Sequence, residues 1–202
     1  MDKPYLHHIW VKYKKSSLYL IIICLITSML VAVFSLRQNN LNMLKLKEAV
    51  YVADEKNENL EQALLNLRNY IYSHMNTNMR GGSNSSEAPI QLINQFNRFI
   101  NAEQARLAVN GESSRVYAEA QANCEKPELT LTARAQCIQE YVVVHGGDFR
   151  ELKVPPKELY AYDFASPRFT FDLAGISLIF SVIFFILLII RLFIGVIIKR
   201  YI

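Results

Sequence analysis

Glycine and proline are scarce in this chain of 202 residues, seven of one and six of the other, and neither occurs between Pro4 and Gly81. Without those breakers the first third of the chain has helix as its default state. The glycines that exist form no phosphate-cradling loop, and no nucleophile stands beside a base, so the nucleotide-binding and acyl-transfer motifs are both excluded. Cysteine is limited to three residues. None has His or carboxylate partners at ligand spacing, which leaves out a metal centre. Charge is missing altogether from two stretches, 18–36 and 173–190.

Those two uncharged stretches are the strongest positive signal. At about 1.5 Å per residue, 18 or 19 helical residues cover about 27 to 29 Å, close to the hydrocarbon thickness of a bilayer. Each is a candidate span. Lys3, Lys12, Lys14 and Lys15 precede the first, and Arg191, Lys199 and Arg200 lie at the end of the second. The segment 37–170 holds 15 Lys and Arg against 16 Asp and Glu. The positive-inside rule then puts both termini in the cytoplasm and the middle of the chain outside. A basic excess confined to the tails also argues against nucleic acid as a partner. The reading divides the chain into a basic cytoplasmic tail (1–17), a first span (18–36), an extracytoplasmic helical domain (37–170), a second span with an interfacial extension (171–198) and a basic end (199–202).

A cleaved secretory signal is the rival reading of the first span. Its apolar run exceeds the usual length of about 7 to 15 residues, and Val33-Phe34-Ser35 is a poor cleavage site, so a retained helix is expected. Ser28, Ala32 and Ser35 in the first span, and Ala174, Ser177 and Ser181 in the second, put small residues at helical spacing and favour close helix approach. Arg191 can snorkel to headgroups, and Trp10, Tyr13, Tyr19, Tyr160, Tyr162, Phe164, Phe169 and Phe171 read as interface belts. His7 and His8 have no ligand partner and belong to a solvated tail.

Between the spans, Leu46, Val50, Ala53, Asn57, Leu60, Leu64, Leu67 and Ile71 step by four and three, the signature of a helical seam. A helix over 38–79 is expected, about 64 Å if unbroken from residue 37. The acidic residues Asp54, Glu55, Glu58 and Glu61 read as a solvated face. The cluster at 81–86 must be a loop, and a second helix over 89–124 is expected to return along the first, with Asn110-Gly111 as its weak point. Lys126-Pro127 precedes a third helix over 132–145, stopped by Gly146-Gly147. Two proline pairs make 148–170 irregular. The fold class expected is therefore all-α: two transmembrane helices flanking an extracytoplasmic antiparallel hairpin or small bundle.

Cys24 lies in the first span and reads as a small apolar residue. Cys124 and Cys137 are an even pair in a segment expected outside the cytoplasm, where disulfides persist. Their bridge would close a loop of about 14 residues and stabilise by about 3 kcal/mol. Asn57 on the seam is a register or ligand position, and His74 a second ligand position, each more readily explained by packing. Asn84-Ser85-Ser86 matches a glycosylation acceptor. No catalytic residue, cofactor or metal is expected.

The stretch Leu67-Arg68-Asn69-Tyr70 with His74-Met75-Asn76-Thr77, followed by Cys124, Cys137 and Tyr141 between two spans, resembles a group of uncharacterised two-pass membrane proteins of small-genome bacteria. The resemblance implies a shared architecture and no activity. The layout is also similar to the helical ligand-binding modules of bacterial chemoreceptors. Only about 12 residues follow Ile190, however, so no signalling domain is expected there. The leading expectation is a non-enzymatic membrane-anchored scaffold or interaction subunit of the cell envelope, associating with lipids and with a membrane-protein partner or further copies of itself. An accessory sensory domain, binding a small ligand outside and signalling through a membrane partner, is the alternative.

Overall fold

The computed structural model describes residues 3–80, 88–107, 111–145 and 153–201. Seven helices and one two-stranded ladder occur among them: α1 (Lys3–Lys56), α2 (Leu60–Ser73), β1 (Ile90–Gln91), α3 (Ile93–Leu107), α4 (Gly111–Cys124), α5 (Leu131–Val144), α6 (Lys157–Tyr160), β2 (Ala161–Tyr162) and α7 (Leu173–Tyr201). The chain is mostly helical, and α1 and α7 each contain a stretch long and apolar enough to cross a membrane. The 81–86 loop, the Asn84-Ser85-Ser86 acceptor and the Gly146-Gly147 stop fall outside the described residues. So do the side chains of the basic tails.

Contacts divide the chain into two units, one made of Met1–Met43, Tyr70–Thr77 and Ser166–Ile202, the other of Leu44–Asn69 and Asn78–Ala165. In the first unit, five of the six small residues read from the sequence are buried, Ser28 being half-buried. Ala32, Ser35, Ala174, Ser177 and Ser181 are all buried, whereas Leu30, Val33, Phe34, Phe185 and Phe193 stand exposed. Ser181 Oγ donates to Ser28 Oγ at 3.0 Å, joining the two apolar helices. The Ser28, Ser177 and Ser181 hydroxyls also reach carbonyls of their own helices, as Ser177 does to Leu173 O at 2.8 Å. That arrangement suits apolar surroundings, where an unbonded hydroxyl is costly. The buried Ser35 hydroxyl, by contrast, has no partner among the described residues.

In the second unit, the helix expected over 38–79 is interrupted. α1 stops at Lys56, and Asn57 and Asn59 both take left-handed φ, 55° and 53°. Glu58 N donates to Ala53 O at 3.2 Å, the six-to-one bond of a Schellman ending with Asn57 in the left-handed position. Asn59 then opens α2, its carbonyl accepting from Ala63 N at 3.0 Å. Asparagine tolerates this conformation better than other residues with a Cβ, so the chain reverses without glycine or proline.

The second helix, expected over 89–124, is likewise replaced by β1, α3 and α4. Leu92 caps α3, accepting from Phe96 N at 3.0 Å, while its own N–H donates to Tyr160 O at 2.8 Å. β1 pairs antiparallel with β2 in the register Ile90 to Tyr162 and Gln91 to Ala161. The 148–170 return is thus not wholly irregular: α6 and β2 lie within it. The core of this unit gathers Val50, Leu67, Ile90, Phe96, Ile100, Leu107, Tyr117, Ile138 and Tyr160, each at most 1% exposed. Phe96 meets Tyr160 edge to face at 5.2 Å. Thr130 caps α5 by accepting from Ala133 N at 3.3 Å. Cys124 and Cys137 stand at disulfide distance, Cα atoms 5.8 Å apart, and tie the end of α4 to α5.

Candidate functional site

Polar side chains are drawn together in three places, and each begins from a helix end. In the first unit, Asp172 sits one residue ahead of α7 and accepts from Gly175 N at 2.9 Å, capping the helix. Its other oxygen accepts from Asn39 Nδ2 of α1. Asn39 also donates to Met75 O at 3.2 Å, Met75 N donates to Thr170 Oγ1 at 3.0 Å, and Thr170 Oγ1 donates back to Asp172 at 2.9 Å. Asn76, a third left-handed asparagine with φ 62°, donates to Leu36 O at 3.2 Å. Three stretches far apart in sequence are thereby closed into one polar clasp beside the apolar helices. Gly175 belongs to it sterically, since a Cβ there would stand 1.8 Å from Thr170 O.

In the second unit, Asp54 of α1 caps α3 from a distance. Only 2% exposed, it accepts from Asn94 N at 3.0 Å and Gln95 N at 2.8 Å. Arg98 completes the arrangement, with Nη2 at 2.9 Å from Asp54 Oδ1 and Nη1 at 2.7 Å from Asp54 O. The acidic face read from the sequence therefore splits: Glu55, Glu58 and Glu61 are exposed, while Asp54 is a buried structural carboxylate.

The third place is Glu103 in α3, 5% exposed, with Arg106 Nη2 at 2.6 Å and Lys153 N at 2.9 Å. The Arg106 hydrogen bonds hold its carboxyl below the usual range and outweigh the opposing effect of burial; the Lys153 N–H adds to them. Tyr117 is fully buried on α4 and its hydroxyl has no hydrogen-bond partner among the described residues. Burial, with a smaller contribution from the Glu103 charge, pushes that phenol far above its ordinary value. A carboxylate held ionised and a phenol held neutral are poor proton donors and acceptors near neutral pH.

The two ligand positions read from the sequence do not come together. Asn57 is exposed at the helix break of the second unit, where its role is the left-handed turn rather than a buried register contact. His74 lies in the first unit, half-buried, stacked on Tyr70 with ring centroids 4.0 Å apart. Its Nδ1 is 3.0 Å from Tyr70 O and 2.9 Å from Ser73 Oγ. No group of three His, Cys, Asp or Glu able to hold a metal occurs among the described residues. Sequence reasoning missed Asn39, Asp54, Glu103 and Asp172. For Asp172 a signal existed, an Asp immediately before an apolar run.

One open depression in the second unit lies along the α1 to α2 turn, about 460 Å³ in volume, lined by Leu46, Ala49, Val52, Ala53, Ala63 and Asn66 among others. Three alanines line it together with the charged Glu48, Lys56 and Glu58. No family model, no curated protein and no solved structure matches this chain.

Proposed function

We propose that this protein is a membrane-anchored helical scaffold or interaction subunit of the cell envelope, without an enzymatic activity of its own. Residues 18–36 and 173–190 cross the cytoplasmic membrane, both termini lie in the cytoplasm, and 37–170 lies outside. Lipids and a membrane-protein partner, or further copies of the chain, are its contacts. The shared architecture with two-pass proteins of small-genome bacteria belongs to the same reading.

The observation that carries it is the polar clasp. Asn39, Asp172, Thr170 and Met75 join α1, α7 and the segment between α2 and β1 into one fixed group. Two independent tethers would need no such joint. A pair of spans held in a set relation offers a defined outer surface to other membrane helices. Placement outside is supported by the basic residues flanking the two runs and by the Cys124 to Cys137 pair, which suits an oxidising compartment.

Crosslinking in native membranes, followed by mild solubilisation and mass spectrometry, tests the reading. One reproducible membrane-protein partner, or a self-crosslinked species, is the expected outcome. A chain recovered only as an uncrosslinked monomer would overturn it. Accessibility labelling of single cysteines placed at the tails and near Glu140 tests the topology separately.

A further inference from the structure

We infer that the collar of the first unit around the polar clasp, segments 36–43, 70–77 and 166–172, is a seat for anionic phospholipid headgroups. Arg37 and Arg168 take the phosphates, and Phe169 and Phe171 lie at the acyl boundary. The seat rests on the membrane-spanning reading above and deepens it by naming the lipid class and the residues.

Register sets the level of the collar. The bond from Ser181 Oγ to Ser28 Oγ pins α7 against α1. Arg37 follows Ser28 by nine residues and Asp172 precedes Ser181 by nine, so each lies about 14 Å along its helix from the serine pair. In the other direction Leu18 and Arg191 are each ten residues away, about 15 Å. Half the hydrocarbon layer of a bilayer is about 15 Å. With the serine pair at mid-layer, the collar meets the headgroups on the side of the central segment.

Charge selects the occupant. Arg80, Arg98, Arg106, Arg115 and Arg134 each pair with a carboxylate. Arg37 and Arg168 are exposed and make no ion pair or side-chain hydrogen bond among the described residues. The collar contains one acidic residue, Asp172, whose carboxylate is taken up by Gly175 N, Asn39 and Thr170. Two guanidiniums with no protein carboxylate therefore stand where a bilayer presents phosphates, and the planar fork of each matches a pair of phosphate oxygens.

The clasp also presents the two rings. Thr170, between them, is fixed by its bonds to Met75 N and Asp172. Its neighbours remain outside: Phe171 is 83% exposed, and Phe169 packs edge to face against it with centroids 5.3 Å apart. Exposed Leu173 continues this apolar edge onto α7. A protein partner could cover the rings, but a phospholipid supplies an acyl chain and an anion together, which answers both the rings and the unpaired arginines.

The test uses the full chain in lipid nanodiscs, with Phe171→Trp as a local probe and Trp10→Phe to silence the native tryptophan. Acyl-brominated phosphatidylglycerol and phosphatidylcholine are compared as quenchers. Both are expected to quench the probe, with phosphatidylglycerol preferred at least about fivefold, the effect of one basic side chain near an anionic surface. Arg37→Gln with Arg168→Gln is expected to abolish that preference while quenching by phosphatidylcholine and helical content stay unchanged. An unquenched probe, or a preference that survives the double substitution, overturns the inference. Alkaline carbonate extraction of native membranes separates it from the spanning reading: a chain that stays with the membranes keeps its spans even where the probe is unquenched, and a chain that is released loses both.

Discussion

Two aspartates close helix ends in this molecule, one in each unit, and they act over opposite ranges. Asp172 caps α7 from the adjacent position, its carboxylate reaching Gly175 N three residues on. Asp54 caps α3 across 40 residues of chain, and adds an ion pair to Arg98. In the first unit, α1 and α7 bury Ala32, Ser35, Ala174, Ser177 and Ser181 and expose most of their large apolar side chains, Leu25 and Met43 being buried exceptions, and the polar clasp ties the segments together. The second unit has an apolar core, and its buried carboxylate is surrounded by donors it cannot lose cheaply. The cap of α7 is local and the other oxygen of Asp172 makes the tertiary contact, to Asn39 of α1; in the second unit the cap of α3 is itself the tertiary contact.

The largest expected effect tests the long-range cap. Asp54→Ala would leave Asn94 N and Gln95 N without their acceptor and break the ion pair to Arg98, which keeps its bonds to the residue 54 carbonyl and to Gln95, and should cost about 3 kcal/mol, at the low end for a broken buried pair because Arg98 is partly exposed. Chemical denaturation followed by circular dichroism reads this directly. Reducing the Cys124 to Cys137 bridge should cost about 3 kcal/mol or slightly less. Its effect should be confined to the α4 and α5 region, seen as faster amide exchange there with the exchange of α7 unchanged. In the first unit, Gly175→Ala must move Thr170 O and should cost about 1 to 3 kcal/mol. Asp172→Ala loses the cap of α7 and the acceptor of Asn39 and Thr170, and should cost about 2 kcal/mol, less than Asp54→Ala because no ion pair is broken. An Asp172 effect equal to that of Asp54 would erase the distinction between the units.

The smallest effect is in pH. Glu103 has its folded pKa depressed below the ordinary value of 4.5, so its contribution to stability is full above that value and is lost as pH falls through the lower folded one. Thermal melts across that acid range should show a step that Glu103→Gln removes. Melts of the two proteins that run parallel throughout would rule out this contribution.

How much of this was legible depends on range. The apolar runs, the small residues between them and the cysteine pair follow from local composition, and the buried Ala32, Ser35, Ala174, Ser177 and Ser181 are those the helical spacing picks out. Asp54 was not legible, because it lies within an acidic stretch that is otherwise solvated, and its partners on α3 follow a chain reversal the sequence does not announce. Asn57 misled for a related reason. Its place in the four-and-three stepping suggested a buried seam position, whereas a left-handed turn removes it from any seam. His74 was placed near the tip of a helix over 38–79; α2 in fact ends at Ser73, and the histidine closes onto Tyr70 within the first unit. The two-residue ladder of β1 and β2 is too short to leave a periodicity.

The three left-handed turns have a consequence for the unfolded chain. Asn57, Asn59 and Asn76 hold positions where glycine is the common choice. A residue with a Cβ samples fewer backbone states before folding than glycine does, so fixing these turns forfeits less disorder. The reversal at Lys56 therefore forfeits less chain disorder than a glycine turn would, set against the steric cost of left-handed backbone at Asn57 and Asn59, where the chain passes from α1 to α2.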